Sequence, residues 1–78
     1  MIKEFCAGSF YDALAAEKRG ADRIELCDNL TEGGTTQSYG TIKLALERLN
    51  IPVFPIIRPR GGDFFYSAEE LEIILLWI

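Results

Sequence analysis

The sequence contains no histidine, so it lacks the side chain that proteins use most often as a general base and as a metal ligand. Its two cysteines, Cys6 and Cys27, are too few for the disulfide framework of a small secreted protein. They also lack the Cys-x-x-Cys spacing of zinc and redox sites. Because free thiols of this kind are typical of a reducing compartment, we expect a cytoplasmic protein.

Clusters of positive charge and long apolar runs are also missing. Eight Lys and Arg residues stand against twelve Asp and Glu residues, which gives a net charge of −4, and the basic residues are scattered. This pattern disfavours nucleic acid and anionic membranes as partners. No stretch reaches the ~18 consecutive apolar residues of a membrane span, and the first ten residues lack the basic and apolar regions of a signal peptide.

The sequence does contain alternating strand and helix signals. Apolar runs predict strands at 2–6, 23–27 and 51–57, separated by polar loops at 28–37 and 58–66. Ser9, Ser38 and Ser67 each precede a helical pattern and are predicted N-caps, with Glu70 completing a capping box with Ser67. Pro52 and Pro55 each remove a backbone donor, so at least one should lie at a strand start, an edge or a bulge.

The predicted order, β-α-β-α-β-α, indicates parallel strands joined by right-handed crossovers. Three such strands would leave open sheet edges, and the closing segment, residues 71–78, is apolar nearly all round. We therefore expect residues 1–78 to form a single partial domain of a larger α/β protein. In isolation it is expected to be unstable, to aggregate or to self-associate.

Both cysteines occur in the same tripeptide pattern, Glu-x-Cys, at the ends of the first two strands. Since side chains alternate along a strand, Glu4 shares a face with Cys6, and Glu25 shares a face with Cys27. Phe5 is expected on the opposite face, toward the helices. Neighbouring strands lie ~4.8 Å apart, so the two thiols could meet and hold a soft ion such as Cu(I). Alternatively, both cysteines are inert and pack as small hydrophobic residues.

The third strand leads into two arginines, Arg58 and Arg60, and then into Gly61-Gly62-Asp63. On a shared inner face Arg58 would neutralise Glu4 and Glu25, as a structural network or as part of a small-molecule pocket. Arg60 beside the glycines could instead hold a carboxylate or phosphate. No complete phosphate-binding motif is present, and no nucleophile with a base indicates a catalytic site.

Three segments carry a resemblance to a known family. They are the octapeptide GADRIELC at 20–27, the loop EGGTT at 32–36 that leads to Ser38, and IRPRGGDF at 57–64 followed by Tyr66-Ser67. In this order and spacing they resemble the copper homeostasis protein CutC family, over roughly residues 2 to 74. Gln37 stands where that family usually has proline, a departure expected to touch neither cysteine.

The resemblance implies a TIM-type (β/α)8 barrel of which this chain carries the first three βα units, without a later segment that contains histidine. It also implies a cytoplasmic role in copper tolerance, with Cu(I) bound at Cys6 and Cys27. Two alternatives stay open. One is a barrel enzyme that acts on a small anionic metabolite through Glu25, Arg58, Arg60 and Asp63, and the other is an inactive partial chain. Homo-oligomers are compatible with each of these hypotheses.

Overall fold

The computed structural model describes residues 1–77, in which three parallel strands alternate with three helices. The elements are β1 (Glu4–Ala7), α1 (Phe10–Lys18), β2 (Arg23–Leu26), α2 (Tyr39–Arg48), β3 (Val53–Pro55) and α3 (Ala68–Trp77). A 3-10 turn, Leu30–Glu32, lies in the loop between β2 and α2. The predicted order of strands and helices is confirmed. Ile78, the end of the predicted apolar closing segment, lies outside the described residues.

The sheet has the order β1-β2-β3, so β2 is its central strand. In the parallel register between β1 and β2, Phe5 is the partner of Ile24 and Cys6 is the partner of Glu25. Partners in a ladder point to the same side of the sheet. One face therefore carries Phe5, Ala7, Ile24, Leu26 and Val53, and the other carries Glu4, Cys6, Arg23, Glu25 and Phe54.

The core lies between the first of these faces and the helices α1 and α2. Its members are mostly small: Ala7, Ala13, Ala16, Ile24, Leu26, Ile42, Ala45, Leu49 and Val53. Alanines on α1 and α2 allow the helices to approach the sheet closely, since they add little volume and lose no side-chain entropy. The largest fully buried side chains are Ile24, Leu26 and Cys27. Cys27 is thus completely enclosed by other parts of the chain.

Serine side chains begin all three helices, as predicted. The backbone N–H of Asp12 donates to Ser9 Oγ (3.1 Å), and that of Thr41 donates to Ser38 Oγ (3.2 Å). At α3 the capping box is complete, because Glu70 N–H donates to Ser67 Oγ (3.1 Å) and Ser67 N–H donates to Glu70 Oε1 (2.8 Å). These bonds satisfy amides that a helix leaves unpaired at its first turn.

The third strand is shorter than the predicted 51–57, and the prolines explain this. The Pro52 carbonyl still accepts from Ile24 N–H (2.9 Å), and Ile56 N–H donates to Leu26 O (2.9 Å). Pro52 and Pro55 have no N–H of their own, so the regular ladder covers only Val53–Pro55. Pro55 lies on this edge strand and Pro52 directly precedes it, so the missing donors do not interrupt the sheet.

Large apolar side chains remain on the outer surface. Phe5 lies on the helix side as predicted, but it is 48% exposed because β1 is an edge strand with no neighbour beyond it. Helix α3 buries none of its side chains in this structure, and Leu76 is 86% exposed. No helix within residues 1–77 combines the length and the apolar character that crossing a membrane requires.

We expect the isolated 78-residue polypeptide to self-associate, because water contact with these apolar surfaces is unfavourable and the edges of β1 and β3 are open. Analytical ultracentrifugation should show species heavier than the monomer, increasing with concentration. Replacing Leu75 and Leu76 with Glu should reduce the association, whereas replacing the already polar Glu72 with Gln should not. A wild-type monomer that melts cooperatively at all concentrations would contradict this expectation.

Candidate functional site

The two cysteines meet at the carboxyl end of the sheet. Cys6 lies within β1, Cys27 directly follows β2, and their sulfur atoms are 3.3 Å apart. The Cys27 amide extends the β1–β2 ladder by donating to the Ala7 carbonyl (3.0 Å), and its thiol also points to that carbonyl (3.7 Å). The structure thus brings together the two thiols that the sequence places on one face. Their role as metal ligands stays a prediction.

The two thiols differ in their environments. Cys6 is exposed, whereas Cys27 is fully buried. Burial raises the pKa of the Cys27 thiol to about 12, with further contributions from its hydrogen bond with Cys6 and from the negative charges of Glu25 and Asp28. Without a metal ion, Cys27 therefore keeps its proton at neutral pH, and Cys6 is the thiol that reagents reach first.

A glycine loop covers the buried thiol. The loop from Asp28 folds back on itself through two hydrogen bonds, from Asp28 N–H to Thr35 O and from Thr35 N–H to Asp28 O, both 2.8 Å. Gly34 has a φ of +94°, a conformation that favours glycine, and a Cβ at this position would lie 3.2 Å from Ile56 Cδ1 and 3.4 Å from Cys27 Cβ. A side chain here would be strained by the positive φ and would crowd Ile56, while its Cβ would be in ordinary contact with Cys27.

Gln37 is a site residue that the sequence analysis missed. It is 9% exposed, and its Nε2 donates to the carbonyls of Gly8 (2.9 Å) and Cys27 (3.0 Å). The expectation that Gln37 would touch neither cysteine is therefore wrong, because it contacts the backbone of Cys27. A glutamine between an irregular loop and an N-cap serine gives no sequence signal of such a contact.

Arg58 does not neutralise Glu4 and Glu25, contrary to the prediction. Within residues 1–77 the ion pair of Glu4 is with Arg23, at 3.4 Å. Arg58 follows β3 by three residues, so it lies in the loop and not on the inner face of the sheet. Its guanidinium stacks over Phe64 (5.0 Å) and donates to the carbonyls of Glu32 (2.7 Å), Gly34 (3.0 Å) and Gly62 (2.9 Å).

Arg60 pairs with carboxylates of its own chain, and its binding of a carboxylate or phosphate ligand stays a prediction. Its Nε pairs with Glu70, and its four other N–H groups donate to Asp63 Oδ1 (3.2 Å) and to the carbonyls of Gly61, Asp63 and Phe65. The pKa of Asp63 is lowered by the Phe65 N–H and by Arg60, and that of Glu70 by the Ser67 N–H and by Arg60. All five N–H donors of Arg60 are thus used to fix the loop onto α3.

The donor set at the thiols is small. Across residues 1–77, no cluster of three or more Cys, Asp or Glu side chains is close enough to hold a metal ion. Structural zinc usually takes four ligands, whereas thiolates suit Cu(I), which is softer. Two sulfurs with no third Cys, Asp or Glu ligand among residues 1–77 therefore fit a monovalent soft ion better than zinc.

Comparison with known proteins identifies relatives of the whole chain. The CutC family model matches residues 1–78. A CutC family protein from Chromobacterium violaceum is 61% identical over 71 residues, which cover 91% of this chain and 29% of that protein. The human copper homeostasis protein cutC homolog is 52% identical over 73 residues, covering 94% of this chain and 27% of that protein.

A crystal structure of CutC from Streptococcus agalactiae superposes with a TM-score of 0.86 at 48% identity, covering 95% of this chain and 37% of that one. The predicted fold class, three βα units of a TIM-barrel family, is thereby confirmed. The chain spans less than a third of the length of the curated relatives described above.

We expect iodoacetamide to alkylate Cys6 at least about tenfold faster than Cys27 at pH 8, because Cys27 is buried and its pKa is about 12. Peptide mapping by mass spectrometry measures the two rates. In denaturant the difference should disappear. Equal rates in the folded protein would contradict the described burial.

Replacing Arg58 with Ala should lower the free energy of unfolding by about 2 kcal/mol, because three backbone carbonyls lose a charged donor. Chemical denaturation measures this, and hydrogen exchange should show faster exchange in loop 28–37. Arg58→Lys keeps the charge but loses the forked geometry, so it should recover only part of the stability. Unchanged stability with loss of binding to an anionic metabolite would instead support a pocket role.

Proposed function

Because the chain belongs to the CutC family, we propose that it takes part in copper homeostasis by binding Cu(I) through the thiolates of Cys6 and Cys27. The observation that carries this proposal is the 3.3 Å separation of the two sulfurs, on neighbouring strands and without other ligands nearby. Thiolates are the ligands that select Cu(I). The names of the human relative and of the Streptococcus agalactiae protein include copper homeostasis, which supports the copper role in general terms.

A single ion requires a modest movement of one thiol. Two sulfurs on opposite sides of an ion would be ~4.6 Å apart if each bond were about 2.3 Å, the length of a zinc–thiolate bond. They therefore have to separate by roughly 1 Å from the observed distance. Cys6 is the thiol that can move, since it is exposed, whereas Cys27 is enclosed by the sheet and the Gly34 loop. Cys27 then serves as the fixed ligand and Cys6 as the mobile one.

Binding of Cu(I) also changes the net charge of the site. Two thiols release two protons when one Cu(I) binds, so the site gains one net negative charge. The same environment that raises the pKa of Cys27 opposes free thiolate, including the carboxylates of Glu25 and Asp28. Protons therefore compete with copper at neutral pH, which keeps binding reversible, as a protein that stores or transfers copper requires. The need for reduced thiols also supports the cytoplasm as its location.

Titration of the reduced full-length protein with Cu(I), against a competing chelator under anaerobic conditions, tests the proposal. We expect one Cu(I) per chain, and at least about a hundredfold weaker binding in Cys6→Ser and in Cys27→Ser, because each variant leaves one thiolate. Affinity should rise with pH as protons leave the thiols. Glu72→Gln, at an exposed position on α3, provides a control away from the sulfurs.

Unchanged affinity in the Cys6→Ser/Cys27→Ser double variant would rule out this site. Absence of Cu(I) binding by the wild type, with the fold intact, would support the inactive alternative. A rise in melting temperature with a small anionic metabolite that depends on Arg58 or Arg60 would instead support an enzyme, since a ligand of the native state stabilises it.

A further inference from the structure

We propose that Gln37 is a positioning residue of the two-thiol site: its side-chain amide fixes the distance between the strand ends that carry Cys6 and Cys27. This inference rests on the proposed function for its biological meaning, but its geometry is independent of copper. Gln37 touches neither sulfur. It acts through the backbone, two residues beyond Cys6 and at Cys27 itself.

The side-chain amide of Gln37 extends the hydrogen bonding between the ends of β1 and β2. The last backbone bond between the two strand ends runs from Cys27 N–H to Ala7 O, at 3.0 Å. Beyond it, the Gly8 and Cys27 carbonyls both accept hydrogen bonds from Nε2 of Gln37, at 2.9 and 3.0 Å. A primary amide has two N–H groups, so both are used. The two strand ends are therefore joined by one rigid planar group.

Burial makes this contact hard to replace. Gln37 is only 9% exposed; of the two residues whose carbonyls it contacts, Cys27 is fully buried and Gly8 is partly buried. Where water has little access, a carbonyl that loses its donor stays unsatisfied, which is costly. Removal of the amide should therefore let the strand ends separate or rotate until the carbonyls find other donors. Either movement changes the relative placement of the two sulfurs.

The position of Gln37 in the chain directs its side chain inward. On one side Thr36 is bonded to Arg58, through Thr36 N–H to Arg58 O (2.9 Å) and Arg58 N–H to Thr36 Oγ1 (2.8 Å). On the other side Ser38 caps α2. With both neighbours fixed, the glutamine side chain has little freedom to leave the site. Thr36 itself joins the loop to the segment after β3, and not to β1 or β2, at whose ends the two thiols lie.

This arrangement offers a matched pair of variants. Gln37→Met keeps the length of the side chain but removes both donors. Thr36→Val keeps the shape of the neighbouring residue and removes its side-chain hydrogen bonds to Arg58. Both variants lose buried polar contacts of one loop, so a general loss of stability should affect both, whereas a change in thiol spacing should occur only in Gln37→Met.

The probe is phenylarsine oxide, whose trivalent arsenic binds tightly only when two thiols lie close together. In the reduced full-length protein, we expect Gln37→Met to weaken arsenical binding and Cu(I) binding at least about tenfold, and Thr36→Val to change each by less than about twofold. The rate of Cys6 alkylation by iodoacetamide should stay the same in both variants, because it reports one thiol and not the pair.

Unchanged arsenical affinity in Gln37→Met, or equal losses in Gln37→Met and Thr36→Val, would overturn the positioning role. If the wild type binds the arsenical but no Cu(I), the proposed copper function fails while the positioning role is still decided by the variants. Should Gln37→Met not fold, Gln37→Asn keeps the amide on a shorter arm. It must then weaken arsenical binding more than Thr36→Val does, and the opposite order would refute the inference.

Discussion

The parallel pairing of β1 with β2 is the constraint on which the rest of the structure depends. In this register Cys6 is the partner of Glu25. Cys27 comes two residues after Glu25, so it lies on the same face of the sheet, one residue beyond the end of β2. A shift by one residue would send one thiol into the core and the other to the opposite face, because side chains alternate along a strand. The contact of the sulfurs is thus a consequence of backbone hydrogen bonding and not of a local motif.

The loops that follow the strands make the site by satisfying their own polar groups. Arginines next to glycines resemble anion-binding elements, but here their donors are directed to carbonyls and carboxylates of the same chain. Arg58 thereby fixes the glycine loop over Cys27, and Arg60 fixes the next loop to the start of α3. Buried or partly buried carbonyls need donors, and an arginine with five N–H groups can supply several of them at once.

The two thiols of the site differ in their exposure to solvent, and this difference affects how a ligand can reach them. One sulfur is buried next to the end of the central strand, and the other lies on an edge strand in contact with solvent. An ion that arrives from solvent would meet the exposed thiol first and the buried thiol second. In the proposed Cu(I) site, such an order of contact would favour release of the ion over permanent storage in a closed four-ligand site.

Local patterns in the sequence determine much of this protein. The alternation of strands and helices, the three serine caps and the shared face of Glu4 and Cys6 follow from spacings of two to four residues, which depend only on backbone geometry. The resemblance of GADRIELC and IRPRGGDF to the CutC family identifies the barrel as well. The shortening of β3 is also explained by Pro52 and Pro55, once the hydrogen-bond pattern of the sheet is known.

Only the tertiary structure decides the contacts between elements that are distant in sequence. It places the two sulfurs 3.3 Å apart, directs Arg58 to carbonyls instead of Glu4 and Glu25, and brings Gln37 to the strand ends. These outcomes depend on the paths of two irregular loops, in which no periodic pattern constrains the backbone. The residue types define which bonds are possible, and the fold selects among them because each buried donor and acceptor needs one partner within reach.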